Sequence, residues 1–109
     1  MALTPKLLYI GNDTASTVYT ASSNSGAYTI IKSISVCNTS GSDKTFSLHL
    51  VPSGDTAGVD NKIMSSFTVP ANDVVTSDTV YVLDASGAVY YDPTDANLTL
   101  TVCGVEYTG

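Results

Sequence analysis

The sequence predicts an all-β protein, a single antiparallel β-sandwich, jelly-roll-like, of about eight short strands. Three observations carry this. Segments with period-two alternation recur at short, even spacing along all 109 residues. The breaks between them (GND, SSNSG, NTSGSD, PSGDTAGVDN, PAND, DASG, DPTD) are built from residues that accept left-handed φ, preset φ or bond their own backbone. No window of ten or more residues carries a helical i, i+3, i+4, i+7 apolar pattern.

The strands are expected near Lys6–Ile10, Thr17–Ala21, Tyr28–Cys37, Lys44–Val51, Lys62–Val69, Asp73–Leu83, Ala88–Tyr91 and Asn97–Tyr107. In the fourth, Phe46, Leu48 and Leu50 share one face, and Thr45, Ser47 and His49 share the other. In the last, Leu98, Leu100 and Val102 face inward, while Asn97, Thr99, Thr101 and Cys103 face out. The third places Tyr28, Ile30, Ile34 and Val36 together with Lys32, which must snorkel or sit at a bend. Such alternation belongs to antiparallel sheets with one solvated face.

Two segments are apolar on both sides. Val80 and Val82 alternate with Tyr81 and Leu83, and Val89 and Tyr91 lie opposite Tyr90. A strand of this kind needs a second cover, either a loop or another subunit. Tyr81, Leu83 and Tyr91 are therefore the candidate contact residues on strands. The Pro52–Asn61 loop, with Asp55, Asp60 and Asn61, is the candidate contact element among the loops.

Composition narrows the function. A length of 109 residues is one domain, 1–109, and the 43% of apolar residues suffices for a small core. Serine occurs 14 times and threonine 15 times, so the solvent face is hydroxylated rather than charged. The net charge of −6 comes from nine aspartates and one glutamate against four lysines, with no arginine. Nucleic acid and anionic membranes need clustered cations, so neither is expected as a partner. Most of the aspartates sit in turns. No segment approaches the roughly 20 apolar residues of a membrane helix. The apolar run Leu7–Ile10 is too short for a signal-peptide core, so folding in a cytoplasm, or a mature chain, is expected.

Catalytic and metal chemistry find little support. His49 is the only imidazole and has no second histidine to work with, so a scaffold role is expected. Cys37 and Cys103 lie on the hydroxyl-bearing face without the C-x₂₋₄-C spacing of zinc sites. Free thiols are expected, with a cross-strand disulfide as the alternative if their strands adjoin. The Asp/Asn loops around Asp60 and Asp95 offer oxygen ligands but lack the calcium-loop register, so turn formation is preferred. Asn12, Asn38 and Asn97 head N-x-S/T sequons, which a chain this rich in Ser and Thr contains by chance. No enzyme activity and no cofactor are expected.

The run IIKSISVCNTSGSDKTFSLHLVPSGDTAGVDNKI resembles a pattern in small virion structural proteins of tailed bacteriophages. There a Lys-Ser-Ile strand leads into a Cys-Asn-Thr-Ser turn, and a Leu-His-Leu-Val-Pro-Ser-Gly strand end follows. The opening TPKLLYIGNDTASTVYTA and the close LTLTVCGVEYTG resemble that group as well. GAVYYDPTDAN departs from it, standing where the group has a short apolar linker. The resemblance implies a non-enzymatic virion protein that folds in the host cytoplasm. Capsid decoration (cement) is the leading role, with other copies of itself and the major capsid protein, or other virion proteins, as partners. A tail or baseplate module binding host-surface carbohydrate is the alternative, for which the seven tyrosines provide some chemistry.

Overall fold

A computed structural model describes residues 3–12 and 14–109. Its strands are β1 (Thr4–Gly11), β2 (Ser16–Thr20), β3 (Tyr28–Asn38), β4 (Lys44–Val51), β5 (Lys62–Val69), β6 (Val74–Ser77), β7 (Tyr81–Asp84), β8 (Ala88–Pro93) and β9 (Leu98–Tyr107), with a 3-10 turn at Val59–Asn61. All strand pairs are antiparallel. One sheet, called A, runs β1-β9-β3-β6, with β7 also on β3; the other, B, runs β2-β8-β4-β5.

The pairing follows one long hairpin. Its tip joins β4 to β5, and successive rungs pair β3 with β6 and β7, β2 with β8, and β1 with β9. Rungs alternate between the two sheets, so folding this ribbon over itself yields the jelly-roll sandwich. The core lies between the sheets, where Ile31, Val36, Leu48, Val69, Val89, Tyr91, Leu98, Leu100 and Val102 have no exposed surface. Phe46 joins them, its ring tilted against Tyr91 at 6.3 Å.

Three expectations need correction. Asp73–Leu83 is not one strand. It breaks over Asp78–Val80, so β6 covers Ile34–Cys37 of β3 and β7 covers Tyr28–Ile31. Second, the faces of β3 do not run in one phase. Lys32 is an extra residue between the pairs Ile31–Gly104 and Ser33–Cys103. A bulge shifts parity by one, so Thr29 and Ile31 point inward before it and Ile34 and Val36 after it, while Tyr28 and Ile30 turn outward. Third, Ser47 and His49 lie on the outward face of β4 and are nonetheless buried. β5 bulges over Ser47, whose hydroxyl accepts the Ser66 amide at 3.0 Å, with Ser66 in the left-handed region at φ 47°. The tip loop covers His49.

Candidate interaction surface

The tip loop is a built structure. Its long path from Pro52 to Asn61 folds back over the outside of sheet B, where His49 holds it. The His49 Nδ1–H points at two acceptors, the Gly58 carbonyl at 3.0 Å and Asn61 Oδ1 at 2.9 Å. Asn61 Oδ1 also accepts the Gly58 amide at 3.0 Å, and its Nδ2 donates to the Thr56 carbonyl at 2.8 Å. The imidazole and the Tyr90 ring meet in a T-shaped arrangement, their centroids 5.7 Å apart. Asn61 is thus occupied inside the loop. Asp55 and Asp60 are exposed, and Asp55 caps the Thr56 amide. Val59 stands out at the tip, 91% exposed. Strand alternation alone does not reveal the partnership of His49 and Asn61. Its one local signal is a histidine and an asparagine flanking a Gly-rich segment.

The strand residues expected at a contact surface lie elsewhere. Leu83 and Tyr91 are buried, Tyr91 donating its hydroxyl to the Leu98 carbonyl at 3.1 Å. Tyr81 pairs with Ile31 on the inward side and packs against the core. All three line the sandwich interior because β7 and β8 turn these residues, rather than Val82 and Tyr90, toward the facing sheet. The second cover for β8 is therefore internal. On β7 the solvent side belongs to Val82, 58% exposed, with Val80 just before it at 54%.

Registers across sheet A place Val82 in a larger feature. Pro5 pairs with Val105, Val105 with Ile30, and Ile30 with Val82. Four apolar residues thus form one row straight across the outside of the sheet. Pro5 and Val82 are exposed, and Ile30 and Val105 half-buried. On one side the row is flanked by the stacked rings of Tyr28 and Tyr107, 5.1 Å apart, and on the other by Leu7, 51% exposed. An outer sheet face is ordinarily polar, and a contiguous apolar patch marks a binding surface more reliably than scattered residues do. No family model, curated protein or solved structure matches this chain.

The two cysteines share this outer face without meeting. β3 and β9 adjoin, but Ser33 lies opposite Cys103 and Thr99 opposite Cys37. Four residues of strand, about 13 Å, separate the thiols along the sheet, beyond the roughly 7 Å a disulfide spans between α-carbons. Both are free. Among the described residues no group of three or more His, Cys, Asp or Glu is placed to hold a metal. No helix among them is long and apolar enough to cross a membrane. Asp95 serves its turn, accepting the Asn97 amide at 2.8 Å and pairing with Lys44 at 3.0 Å; these contacts hold its carboxyl below the usual range.

Glu106, the sole glutamate, ties the sheets together at the end of the sandwich beside the apolar row. Its carboxylate accepts the Tyr19 hydroxyl from β2 and pairs with Lys6 Nζ at 3.1 Å. Tyr19 Oη also meets Thr29 Oγ1 at 2.8 Å. Burial, then the bond to Glu106, pushes the Tyr19 hydroxyl up to about 12, and the Tyr19 bond, helped by Lys6, holds the Glu106 carboxyl below its ordinary value. The raised phenol stabilises the fold fully below its ordinary pKa near 10, and that contribution is lost as pH rises toward 12. The lowered carboxyl acts in the opposite sense, its contribution being lost as pH falls through its folded value. Stability is therefore expected to hold from neutrality to about pH 10 and then decline. In Tyr19→Phe the single glutamate carboxyl resonance should titrate at higher pH than in the wild type, read by carbon NMR. An unmoved titration would mean the Tyr19 bond does not set the Glu106 pKa.

Proposed function

We propose that the chain is a non-enzymatic structural protein of a phage virion, acting as a capsid decoration (cement) protein. The observation that supports this reading is the apolar row across the outside of sheet A, an exposed surface of the kind that associates with other proteins. The resemblance of nearly the whole sequence to small phage virion proteins supplies the setting. The stiff jelly-roll scaffold and the rigidly held tip loop fit a part that makes contacts through fixed surfaces.

A protein that binds only the assembled shell stabilises it by mass action. Purified protein is expected to co-sediment with expanded capsids of its phage at fixed stoichiometry and to raise their melting temperature. Co-sedimentation with bacterial cell walls and indifference to capsids would overturn the cement role in favour of a carbohydrate-binding tail or baseplate module.

A further inference from the structure

Sheet B and sheet A finish their outer faces differently. Sheet B covers its exposed centre from within, folding the tip loop over His49 and the β5 bulge over Ser47. Nothing among the described residues performs this service for the row Pro5–Val105–Ile30–Val82. Of the charges beside the row, Asp84 and Lys32 flank it on opposite sides, and the exposed Asp78 stands in the β6–β7 break, between the pairs Ser77–Ile34 and Tyr81–Ile31. Asp84 pairs with Tyr28, one step beyond the row toward the β9 C-terminus. Lys32 is the exposed extra residue of the β3 bulge, one step beyond the row the other way.

We propose that this face is a two-fold contact between copies of the chain, the row of one copy lying over the same row of another. An axis along the row reverses the strands and exchanges the two sides of the row. Pro5, Val105, Ile30 and Val82 then meet themselves, as residues on an isologous axis do. Lys32 of each copy comes over the Tyr28 ring of the other, with Asp84 beside it. An apolar strip on the axis and opposite charges exchanged across it make the face self-complementary. With Lys32 and Asp84 on the same side of the row, the axis would carry each away from the other copy's opposite charge and the two would not meet.

The size of the face sets the strength. Four strands spaced about 4.8 Å apart and five residues rising about 3.4 Å each give roughly 320 Å² per copy. Two copies therefore bury roughly 650 Å², short of the ~1,000 Å² of a durable interface. The dimer is transient in solution and gains strength where a lattice holds copies close together, through effective concentration. This deepens the assembly reading and rests on it for its biological setting. The contact itself is tested on purified protein and the virion role on capsids, so either can fail alone.

The experiment is sedimentation equilibrium of the purified chain up to about 1 mM, in the range of affinities such an area gives. Wild type should show a reversible monomer–dimer equilibrium. Val82→Glu, at an exposed position, should weaken it at least about tenfold with an unchanged melting temperature. Lys32→Asp and Asp84→Lys should each weaken association, and the double reversal should restore it, an outcome only the exchanged geometry gives. A wild type that stays monomeric throughout the range would overturn the proposal. So would dimerisation indifferent to Val82→Glu, or charge reversals that add rather than cancel.

Discussion

Asn38→Ala is expected to lower the stability of this domain by about 3 kcal/mol, one of the largest losses available from a single polar side chain. Asn38 ends β3 and is 1% exposed. Its Nδ2 donates to the carbonyls of Ser42 at 2.8 Å and Val69 at 3.0 Å. Its Oδ1 accepts the Ser40 amide at 2.9 Å and the Ser40 hydroxyl at 2.7 Å. Every hydrogen-bonding position of the amide is filled. Removing it leaves the Val69 carbonyl without this donor inside the protein and releases the β3–β4 turn. In a domain of this size the loss corresponds to about 15 °C in melting temperature. Urea unfolding of the variant measures it, and a loss below about 1 kcal/mol would mean water takes over the vacated bonds. The same geometry removes Asn38 as a glycan acceptor in the folded chain, since its nitrogen is enclosed.

Gly104→Ala is expected to cost at least as much, for a different reason. Gly104 lies opposite Ile31, next to the β3 bulge. A β-carbon there would stand 2.1 Å from the Ile30 carbonyl oxygen and 3.1 Å from the Ile31 α-carbon. The obstruction is backbone, so no rotamer change relieves it, and β3 and β9 must move apart at the middle of sheet A. About 3 kcal/mol or more is the scale of such overpacking. Unfolding in denaturant gives the total. Hydrogen exchange should show protection lost first at the β3–β9 pairs around Ile31 and Gly104. A near-neutral variant would show that the bulge is compliant.

Much of the architecture was legible in residue order because most of its causes are local. The alternation in Phe46–Leu48 and in Leu98–Val102 depends on the pleat alone, and these residues are core. Phase was lost where a cause was distant. Lys32 on an apolar face allowed either snorkelling or a bend, and choosing between them needed the partner strand, since the extra residue exists only relative to Gly104 and Cys103 on β9. In β7 both faces are apolar, so its pattern fits either orientation, and only the pairing with β3 puts Leu83 inside and Val82 outside. His49 alternates correctly to the outer face, yet its burial comes from a loop returning nine to twelve residues later. The apolar row was equally hidden. Its four members are drawn from four strands, and no sequence window holds more than one of them. The break in Asp73–Leu83 was visible in principle, as Ser77, Asp78 and Thr79 make a polar interruption between apolar pairs.

The nested hairpin also dictates an order of events for a growing chain. β4 and β5 can pair as soon as both have left the ribosome, closing only the short tip loop between them. β1 and β2 are made first and must wait for β9 and β8, the last of the nine to emerge. Loop closure costs entropy only logarithmically with length, but contacts so distant in sequence slow folding. During that wait the edges of β1 are unpaired and Leu7 and Ile10 are bare, the condition in which chains find each other instead. The strand that later supplies one end of the apolar row is thus the one most exposed to mispairing during synthesis.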